Sequence, residues 1–511
     1  MTLSKETHFF WTRLCSLRRD SAITLQAQLR EAIVQAILEK RLLPGASLPA
    51  TRGLAQALSV SRNTVLQAYA SLVKEGYLNS HSRSGHAVAS DLSADAAHAY
   101  AVRPLEQLPK LDWRTRVHST LTTLPQLQKP HDWQSYPYPF VYGQFDSSLF
   151  PASAWREANQ MAMRKMTVRD WAGDSVDRDD PLLISQIQAR LLRRRGISVS
   201  SDEILVTLGA QHAMFLFSAW ISRHARCIGI EEPGYLDLRN LFRFFSVPAR
   251  ALPFAEDASN WIDGVAGCDY VFVSPSHQNP TCRTMSLEER VKLLEAAARY
   301  DFIIVEDDYD SELSFQGDAT PSIRALDTSG RVIYIGSLSK TIAAGLRIGY
   351  LVAPVHVIAE LRALRRLMLR HPPANNQRAV ALFLSLGHYD ALLPRLIKAY
   401  RERAQVLCHA LERHLPQSVF SPPRGGSAIW VRAPEGTDMR RVRDRARAEG
   451  VLFDAGADFF SSSNPPLNYF RLGYSSIGLH HIEPGISKLA GCMRSESVQN
   501  TEPRHTGRKR R

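Results

Sequence analysis

The chain has 511 residues, of which 44% are hydrophobic, so it is long enough for about two to four domains with large cores. It has no apolar run of the ~18 residues that a membrane helix needs, and its N-terminus lacks the layout of a secretory signal; we therefore expect a cytoplasmic protein without membrane contact. Six scattered cysteines without a Cys-x-x-Cys pair favour reduced thiols, and they indicate neither disulfides nor a metal site.

The net charge of +13 is concentrated at the two ends of the chain. Residues 1–90 hold 11 Lys and Arg against 5 Asp and Glu, and residues 501–511 hold five basic residues and one acidic residue. This distribution predicts an N-terminal module that faces nucleic acid and a basic, disordered tail. The large segment between them is close to neutral.

Three helices are predicted in the N-terminal module. Residues 25–40 carry an apolar stripe of period four, residues 51–58 form a short second helix, and a third helix follows the cap Ser61 and ends at Gly76. Two short helices joined by a tight turn are typical of a helix-turn-helix, whose second helix enters the major groove of DNA. Two strands around a polar turn, residues 77–88, would add a wing.

Residues 48–89 closely resemble the winged helix-turn-helix of the GntR class of bacterial regulators, in the ordered motifs LPxxR, VSRNTV, AYxxLxxEGYL and SGxxV. The resemblance implies binding to double-stranded operator DNA, with the wing at the minor groove. The alternative is a three-helix protein-interaction domain, which the clustered basic residues disfavour. The candidate DNA-binding residues are Arg52, Ser61, Arg62, Asn63, Thr64, Gln67, Arg83 and Gly85.

We predict four segments along the chain: the winged helix-turn-helix at 20–89, a proline-containing linker at 90–130, a large body at 131–494 and the tail at 495–511. In the body, short and nearly all-apolar runs alternate with helical stretches. Such runs are typical of strands that are buried on both faces of a mostly parallel α/β sheet. The five candidate strands are residues 204–207, 228–230, 270–273, 302–305 and 332–335.

Ligands of such sheets bind at the carboxyl ends of the strands, so the loops there are candidate site segments. Gly209, Ala210 and Gln211 open a helix whose N-terminus favours an anion. Tyr235 offers a ring that could stack on a ligand, with plain core packing as the alternative. Asn279 can donate an amide hydrogen to a phenolate oxygen. The acidic run from Glu306 to Glu312 needs a cation, either a protonated pyridine beside Asp307 or a divalent metal, although no histidine accompanies the run.

Lys340 follows the last of these strands and a loop of small residues. A lysine at that position can be desolvated, which lowers its pKa and frees the amine to attack a carbonyl. The hydroxyls of Ser337 and Ser339 and the cation of Arg347 suit a phosphate beside that amine. A carbonyl cofactor with a phosphate, pyridoxal 5′-phosphate, meets both requirements, whereas the alternative is an ordinary surface lysine.

These loops resemble the fold-type I aminotransferases over roughly residues 140–490, and the whole chain resembles a MocR-type regulator, which fuses the two modules. The motifs EDDYDSE, GSLSK, GLRIGY and YFRLGY carry the resemblance. It implies that Lys340 forms an aldimine with pyridoxal phosphate, that Asp307 pairs with the pyridine nitrogen and that Tyr309 and Asn279 bond the ring hydroxyl. Tyr235 would stack on the ring, while Gly209, Ala210, Gln211, Ser337 and Arg347 would hold the phosphate. Arg471 would bind the carboxylate of an amino-acid-like effector.

Five positions depart from the family pattern. Trp171 replaces a tyrosine that reaches the phosphate across the dimer, Asp179 a glycine, Ile184 an arginine, Cys282 a glycine and Ile397 an arginine. An indole cannot replace the contact of a phenol with phosphate, so these changes predict weaker cofactor binding and inefficient transamination.

The resulting hypothesis is a homodimeric transcription factor that senses pyridoxal phosphate or an amino-acid-like effector through Lys340. One alternative is an active aminotransferase with an appended autoregulatory DNA-binding domain. Another is a repressor that has kept the fold but uses no cofactor.

Overall fold

The computed structural model describes residues 5–15, 17–21, 23–81, 85–90, 111–117, 121–254, 261–315 and 320–501. The chain divides into two compact units, Met1–His118 and Ser119–Arg511. The predicted site residue Arg83, most of the linker 90–130 and residues 502–511 lie outside the described residues. The boundaries of the four predicted segments remain predictions.

The described part of the N-terminal unit is a helical core with an antiparallel hairpin. Its elements are α1 (Lys5–Leu14), α2 (Leu25–Leu38), α3 (Thr51–Ala57), α4 (Arg62–Lys74), β1 (Leu78–His81) and β2 (Gly85–Val88). Leu29, Ile33, Val65 and Tyr69 are fully buried in its core, which is why α2 and α4 carry apolar stripes. The predicted helices and wing are confirmed.

Helix α1 was not among the predicted helices. Trp11 of α1 is only 3% exposed and packs in the same core as α2 and α4. The start of α4 follows the predicted chemistry, since the Ser61 hydroxyl accepts a 3.0 Å hydrogen bond from the Thr64 backbone nitrogen.

The strands of the large unit include the five that the sequence predicts. In chain order they are β3 (Tyr138–Pro139), β4 (Ile204–Thr207), β5 (Ile228–Glu232), β6 (Ala249–Pro253), β7 (Tyr270–Val273), β8 (Ile303–Asp308), β9 (Val332–Ser337), β10 (Gly349–Val352), β11 (Val419–Phe420), β12 (Ala428–Arg432), β13 (Val451–Leu452), β14 (Asp454–Ala455) and β15 (Tyr469–Gly473).

Helices cover and connect these strands. They are α5 (Ala152–Ala162), α6 (Lys165–Trp171), α7 (Pro181–Gln186), α8 (Ala210–Ile221), α9 (Leu236–Phe244), α10 (Leu287–Tyr300), α11 (Ile323–Leu326), α12 (Val355–Leu369), α13 (Ala374–Ser385), α14 (His388–His414), α15 (Met439–Ala448) and α16 (Leu479–Thr501).

Within the described residues, seven strands form the main sheet in the order β4-β10-β9-β8-β7-β5-β6. All neighbouring pairs are parallel except those of β10, which runs antiparallel to both β4 and β9. Three apolar cores pack on this sheet, and its strands other than the edge strand β6 are buried on both faces. The mostly parallel α/β sheet is thus confirmed, and it brings the loops after β4, β5, β7, β8 and β9 to one edge.

A second sheet in the large unit has the order β11-β12-β15-β14. It places Asp454 of β14 directly opposite Arg471 of β15. Helix α16 continues to Thr501, so residues 495–501, which we predicted to begin the disordered tail, are helical.

Among the described residues, no single helix has the length and apolar composition to cross a membrane. Only α13 and α14, taken together and bent by 78°, meet that criterion.

Candidate functional site

A cavity of about 250 Å³ lies at the carboxyl edge of the main sheet. It is lined by nine of the ten residues that the sequence predicts for the cofactor, and the tenth, Gly209, immediately precedes one of them. The nine are Ala210, Gln211, Tyr235, Asn279, Asp307, Tyr309, Ser337, Lys340 and Arg347. Five loops and strand ends far apart in the sequence therefore converge on one space.

Lys340 presents its amine to this cavity. Its Nζ lies 4.7 Å from the centroid of the Tyr142 ring and 5.9 Å from that of Tyr309. Burial lowers the pKa of Lys340 to about 8, and the positive charge of Arg471 acts in the same direction. A substantial fraction of the amine is therefore neutral near physiological pH, as a nucleophile requires.

Gly143 makes the position of this amine possible. A Cβ atom on Gly143 would lie 2.5 Å from Lys340 Nζ, far inside contact distance. A side chain at residue 143 would therefore displace the amine, and the φ of +73° at this residue is a conformation that glycine adopts without strain.

Asp307 ends in the cavity from strand β8 and is 5% exposed. Its Oδ1 atom is buried and has no hydrogen-bond partner among the described residues. Burial raises the pKa of Asp307 well above its usual range, as do the charges of Asp308 and Asp310. A buried acceptor of this kind is stabilised by a cationic donor, and a pyridinium N–H fits that requirement.

The cavity also has the groups of a phosphate site. Gly209, with φ of +78°, precedes α8, and the Arg347 guanidinium donates to the Leu208 carbonyl over 2.8 Å. A Cβ on Gly209 would lie 3.3 Å from Ser339 Oγ and 3.4 Å from Arg347 Cζ. Ser339 Oγ is buried without a hydrogen-bond partner among the described residues. A helix N-terminus, a guanidinium and an unsatisfied hydroxyl together fit a phosphate dianion.

The remaining predicted cofactor residues make contacts within the protein. The Tyr235 hydroxyl donates to Gln211 Oε1 over 2.8 Å, and the Tyr309 hydroxyl donates to the His277 carbonyl over 2.9 Å. Asn279 accepts a 2.8 Å hydrogen bond from Arg471 through its amide oxygen, so its amide nitrogen is the group that a ring hydroxyl would meet. The residues of the cavity therefore fit pyridoxal phosphate.

Arg471, the predicted effector residue, contacts two lining residues of the cavity, Tyr142 and Asn279. Its guanidinium carbon is 3.8 Å from the centroid of Tyr142 and 4.5 Å from that of Phe459. Asp454 accepts hydrogen bonds from Nε and from a terminal nitrogen at 3.1 and 2.8 Å. The guanidinium is thus buried, stacked and already paired with a carboxylate.

Sequence reasoning missed four lining residues of the cavity: Tyr142, Gly143, Met214 and Ala344. Tyr142 and Gly143 precede the first strand of the main sheet by a long segment, and no pattern around them indicates a site. The only signal is a glycine directly after an aromatic residue. Ala344 lies between Lys340 and Arg347, where proximity to the motif could have identified it.

The positions that depart from the family pattern have local structural roles. Trp171 donates its indole hydrogen to the Ala162 carbonyl of the same chain over 2.8 Å. Asp179 is buried and bonded to Arg362 and Arg365 at 2.9 and 2.6 Å. Ile184 is 8% exposed in the apolar core, and the partly buried Ile397 packs against the same core.

Cys282 adopts φ of +58°, a left-handed conformation that glycine takes without strain. Burial raises the pKa of its thiol to about 12. The structure thus explains why a glycine is expected after Asn-Pro-Thr.

Most candidate DNA-binding residues among the described part of the N-terminal unit are accessible, and four of them lie at the start of α4. Ser61, Arg62, Asn63, Gln67 and Arg52 are exposed, Thr64 is half-buried, and Gly85 of the wing is exposed. The described residues contain no group of three or more His, Cys, Asp or Glu side chains that could hold a metal ion.

Two family models match the chain: "Bacterial regulatory proteins, gntR family" over residues 25–88, and "Aminotransferase class I and II" over residues 144–463. The chain is 41% identical to the HTH-type transcriptional regulator TauR of Rhodobacter capsulatus, over 92% of this chain and 97% of the relative. It is 31% identical to the probable rhizopine catabolism regulatory protein MocR of Rhizobium meliloti, over 93% and 94%.

Among solved structures, the α-aminoadipate aminotransferase LysN of Thermus thermophilus, in complex with N-(5'-phosphopyridoxyl)-L-leucine, has a TM-score of 0.69 and 25% identity. The match covers 76% of this chain and all of LysN.

Proposed function

Because the chain belongs to the MocR-type transcriptional regulators, in which a GntR helix-turn-helix domain is fused to an aminotransferase class I and II domain, we propose that its large unit binds pyridoxal phosphate and responds to an amino-acid-like effector. The buried and unpaired Asp307 oxygen, in one cavity with the Lys340 amine, is the observation that carries this proposal. When bound, pyridoxal phosphate supplies an aldehyde that condenses with amines.

Different residues of this chain hold different parts of pyridoxal phosphate. Lys340 offers an amine whose lowered pKa, about 8, leaves a substantial neutral fraction near physiological pH, and Asp307 accepts the hydrogen of the pyridine nitrogen. Arg347, Ser337 and Ser339, with the N-terminus of α8, hold the phosphate, while Tyr235 lies against the ring. Arg471 takes the acid group of the effector.

Regulation requires that the ligand binds one arrangement of the molecule better than another. We propose that the altered positions Trp171, Ile184 and Cys282 reduce turnover and leave a site that binds and releases its ligand. We further propose that the N-terminal unit binds double-stranded operator DNA. The active form is a homodimer whose paired units bind two half-sites. The protein acts in the cytoplasm.

A second candidate function is transamination, because Lys340, Asp307 and Arg347 are all present in the cavity. Release of a 2-oxo acid from an amino donor, with stoichiometric amination of a 2-oxo acid acceptor, would favour it over a pure sensor.

The absorption spectrum of the purified protein with pyridoxal phosphate tests the proposal. The wild-type protein is expected to show a bound chromophore that borohydride fixes to the chain, and a panel of amino acids is expected to shift it. Lys340→Ala should abolish borohydride fixation at the site. Lys292→Ala, at an exposed lysine that pairs with Glu288, is the matched control and should behave as wild type. Equal fixation in both variants would refute the role of Lys340.

A further inference from the structure

Asp454 occupies one of the edges by which the Arg471 guanidinium could bind a carboxylate ligand. The pair is buried, with Arg471 1% and Asp454 10% exposed at the side chain. A single oxygen, Asp454 Oδ2, accepts from both Nε and a terminal nitrogen of the guanidinium. This is the planar edge with which arginine binds carboxylates.

Three further contacts fix the guanidinium in place. Its other terminal nitrogen donates to Asn279 Oδ1 over 2.8 Å. The rings of Tyr142 and Phe459 stack on it, with 3.8 and 4.5 Å between the guanidinium carbon and the ring centroids. Arg471 therefore cannot turn a different edge to a ligand without losing these contacts.

The strand register holds the carboxylate beside the arginine. Asp454 of β14 and Arg471 of β15 are directly opposed in an antiparallel pair. Side chains at such positions point to the same face and stay in contact. The position of Asp454 beside Arg471 is therefore fixed by the sheet and does not depend on the conformation of a loop.

We propose that Asp454 is a specificity-determining residue: it competes with the acid group of the effector for Arg471, and so sets how strongly the site distinguishes an amino acid from the corresponding amine. This inference rests on the proposed function for the identity of the ligand class. Without Asp454, a buried guanidinium would carry an uncompensated charge, and an incoming carboxylate would gain more from it.

Asp454→Asn removes the charge while keeping an oxygen that accepts from Arg471. The probes are L-alanine and ethylamine, which differ only in the carboxylate, and the readout is the spectral change of protein loaded with pyridoxal phosphate. The ratio of the ethylamine to the L-alanine dissociation constant should rise about tenfold or more in D454N, because the charge that competes with the carboxylate of L-alanine for the guanidinium is removed. D444N, at a carboxylate 74% exposed on α15, should keep the wild-type ratio.

A double-mutant cycle separates competition from a general effect on packing. In R471M the ratio should fall towards one, and D454N/R471M should match R471M alone. Asp454→Glu, which keeps the charge, should leave the ratio near wild type. An unchanged ratio in D454N, or an equal gain in the R471M background, overturns the proposal. If D454N does not fold, D454S removes the same charge and carries the same test.

A second arm needs no cofactor. Fluorine NMR of trifluoroacetate with the apo-protein should show tighter binding to D454N than to wild type, and no such gain in D454N/R471M. If this arm succeeds while the loaded protein shows no chromophore, the proposed function fails and the role of Asp454 stands. If trifluoroacetate binds wild type and D454N equally, the competition is refuted whatever the spectrum shows.

Discussion

The amine of Lys340 is surrounded by charges of both signs. Asp310 and Asp307 raise its pKa, whereas Arg471 and Arg347 lower it, and the desolvation caused by burial is larger than any of these contributions. The resulting pKa of about 8 lies below the ordinary value of 10.5. The neutral amine therefore predominates above about pH 8 in the folded protein.

The rate at which pyridoxal phosphate attaches to the apo-protein should follow this pKa. We expect the rate to rise with pH and to level off above about pH 8, because the nucleophile is the deprotonated amine. Stopped-flow absorption across a pH series measures it. A rate that keeps rising to about pH 10, as it would for a solvated lysine, would contradict the burial argument.

Backbone strain at Cys282 can be measured by comparing the stability of two variants. Its φ of +58° disfavours every residue with a Cβ, so Cys282→Ala keeps the strain and Cys282→Gly removes it. The glycine variant should be more stable than the alanine variant by about 1 kcal/mol, after allowance for the greater freedom of glycine in the unfolded chain. Thermal unfolding of the two proteins measures the difference, and a more stable alanine variant would exclude strain at this position.

At the scale of elements, Asp179 connects the start of α7 to β4 and α12. It accepts from the Val206 backbone nitrogen over 3.2 Å and pairs with Arg362 and Arg365, of which Arg365 is fully buried. Asp179→Asn should destabilise the large unit by about 3–5 kcal/mol, because it leaves a buried guanidinium without its counter-charge. The exposed Asp177→Asn is the control and should change stability by less than about 0.5 kcal/mol. Urea denaturation monitored by circular dichroism distinguishes these outcomes.

Ser61 has two predicted roles, as the cap of α4 and as a DNA contact, and two variants separate them. Ser61→Ala should lower the stability of the N-terminal unit by about 1 kcal/mol, since the bond to the Thr64 nitrogen is lost. Ser61→Asp should keep the cap but weaken DNA binding, because it places a negative charge near the phosphates. Calorimetry and a mobility-shift assay give the two readouts. Equal DNA affinity in S61D and wild type would remove Ser61 from the interface.

The elements that the sequence predicted are those with strong burial patterns. Strand β7 is apolar throughout, and so are the first four residues of β9, because both faces of these strands are covered. Strand β6 was missed because it lies at the edge of the sheet and four of its five residues are exposed. Strand β8 extends through Glu306, Asp307 and Asp308, which composition alone places in a loop. Their burial depends on partners distant in sequence, such as Arg195 for Asp308.

The same limit applies to the site. Residues inside motifs, such as Lys340 and Arg347, were identified together with the cavity they line. Tyr142 and Asp454 were not, because their importance comes from contacts with Arg471 across long stretches of chain. Sequence spacing indicates a neighbour along the chain, whereas only the fold shows which side chains meet.

At the scale of the whole molecule, one chain combines a surface suited to DNA with a cavity suited to pyridoxal phosphate. The excess of basic residues at the two ends leads us to expect DNA binding that weakens as salt rises, since each neutralised phosphate releases counterions. The central claim is that occupation of the Lys340 site changes the affinity for DNA.

The direct test is the dissociation constant for a DNA duplex that the protein selects from a random pool, measured by fluorescence anisotropy with and without pyridoxal phosphate. The wild-type protein and the exposed-lysine control K292A should show a change of about fivefold or more, the lower range of coupling between sites. Lys340→Ala should bind the duplex but show no change. A response in K340A equal to that of wild type would contradict the account.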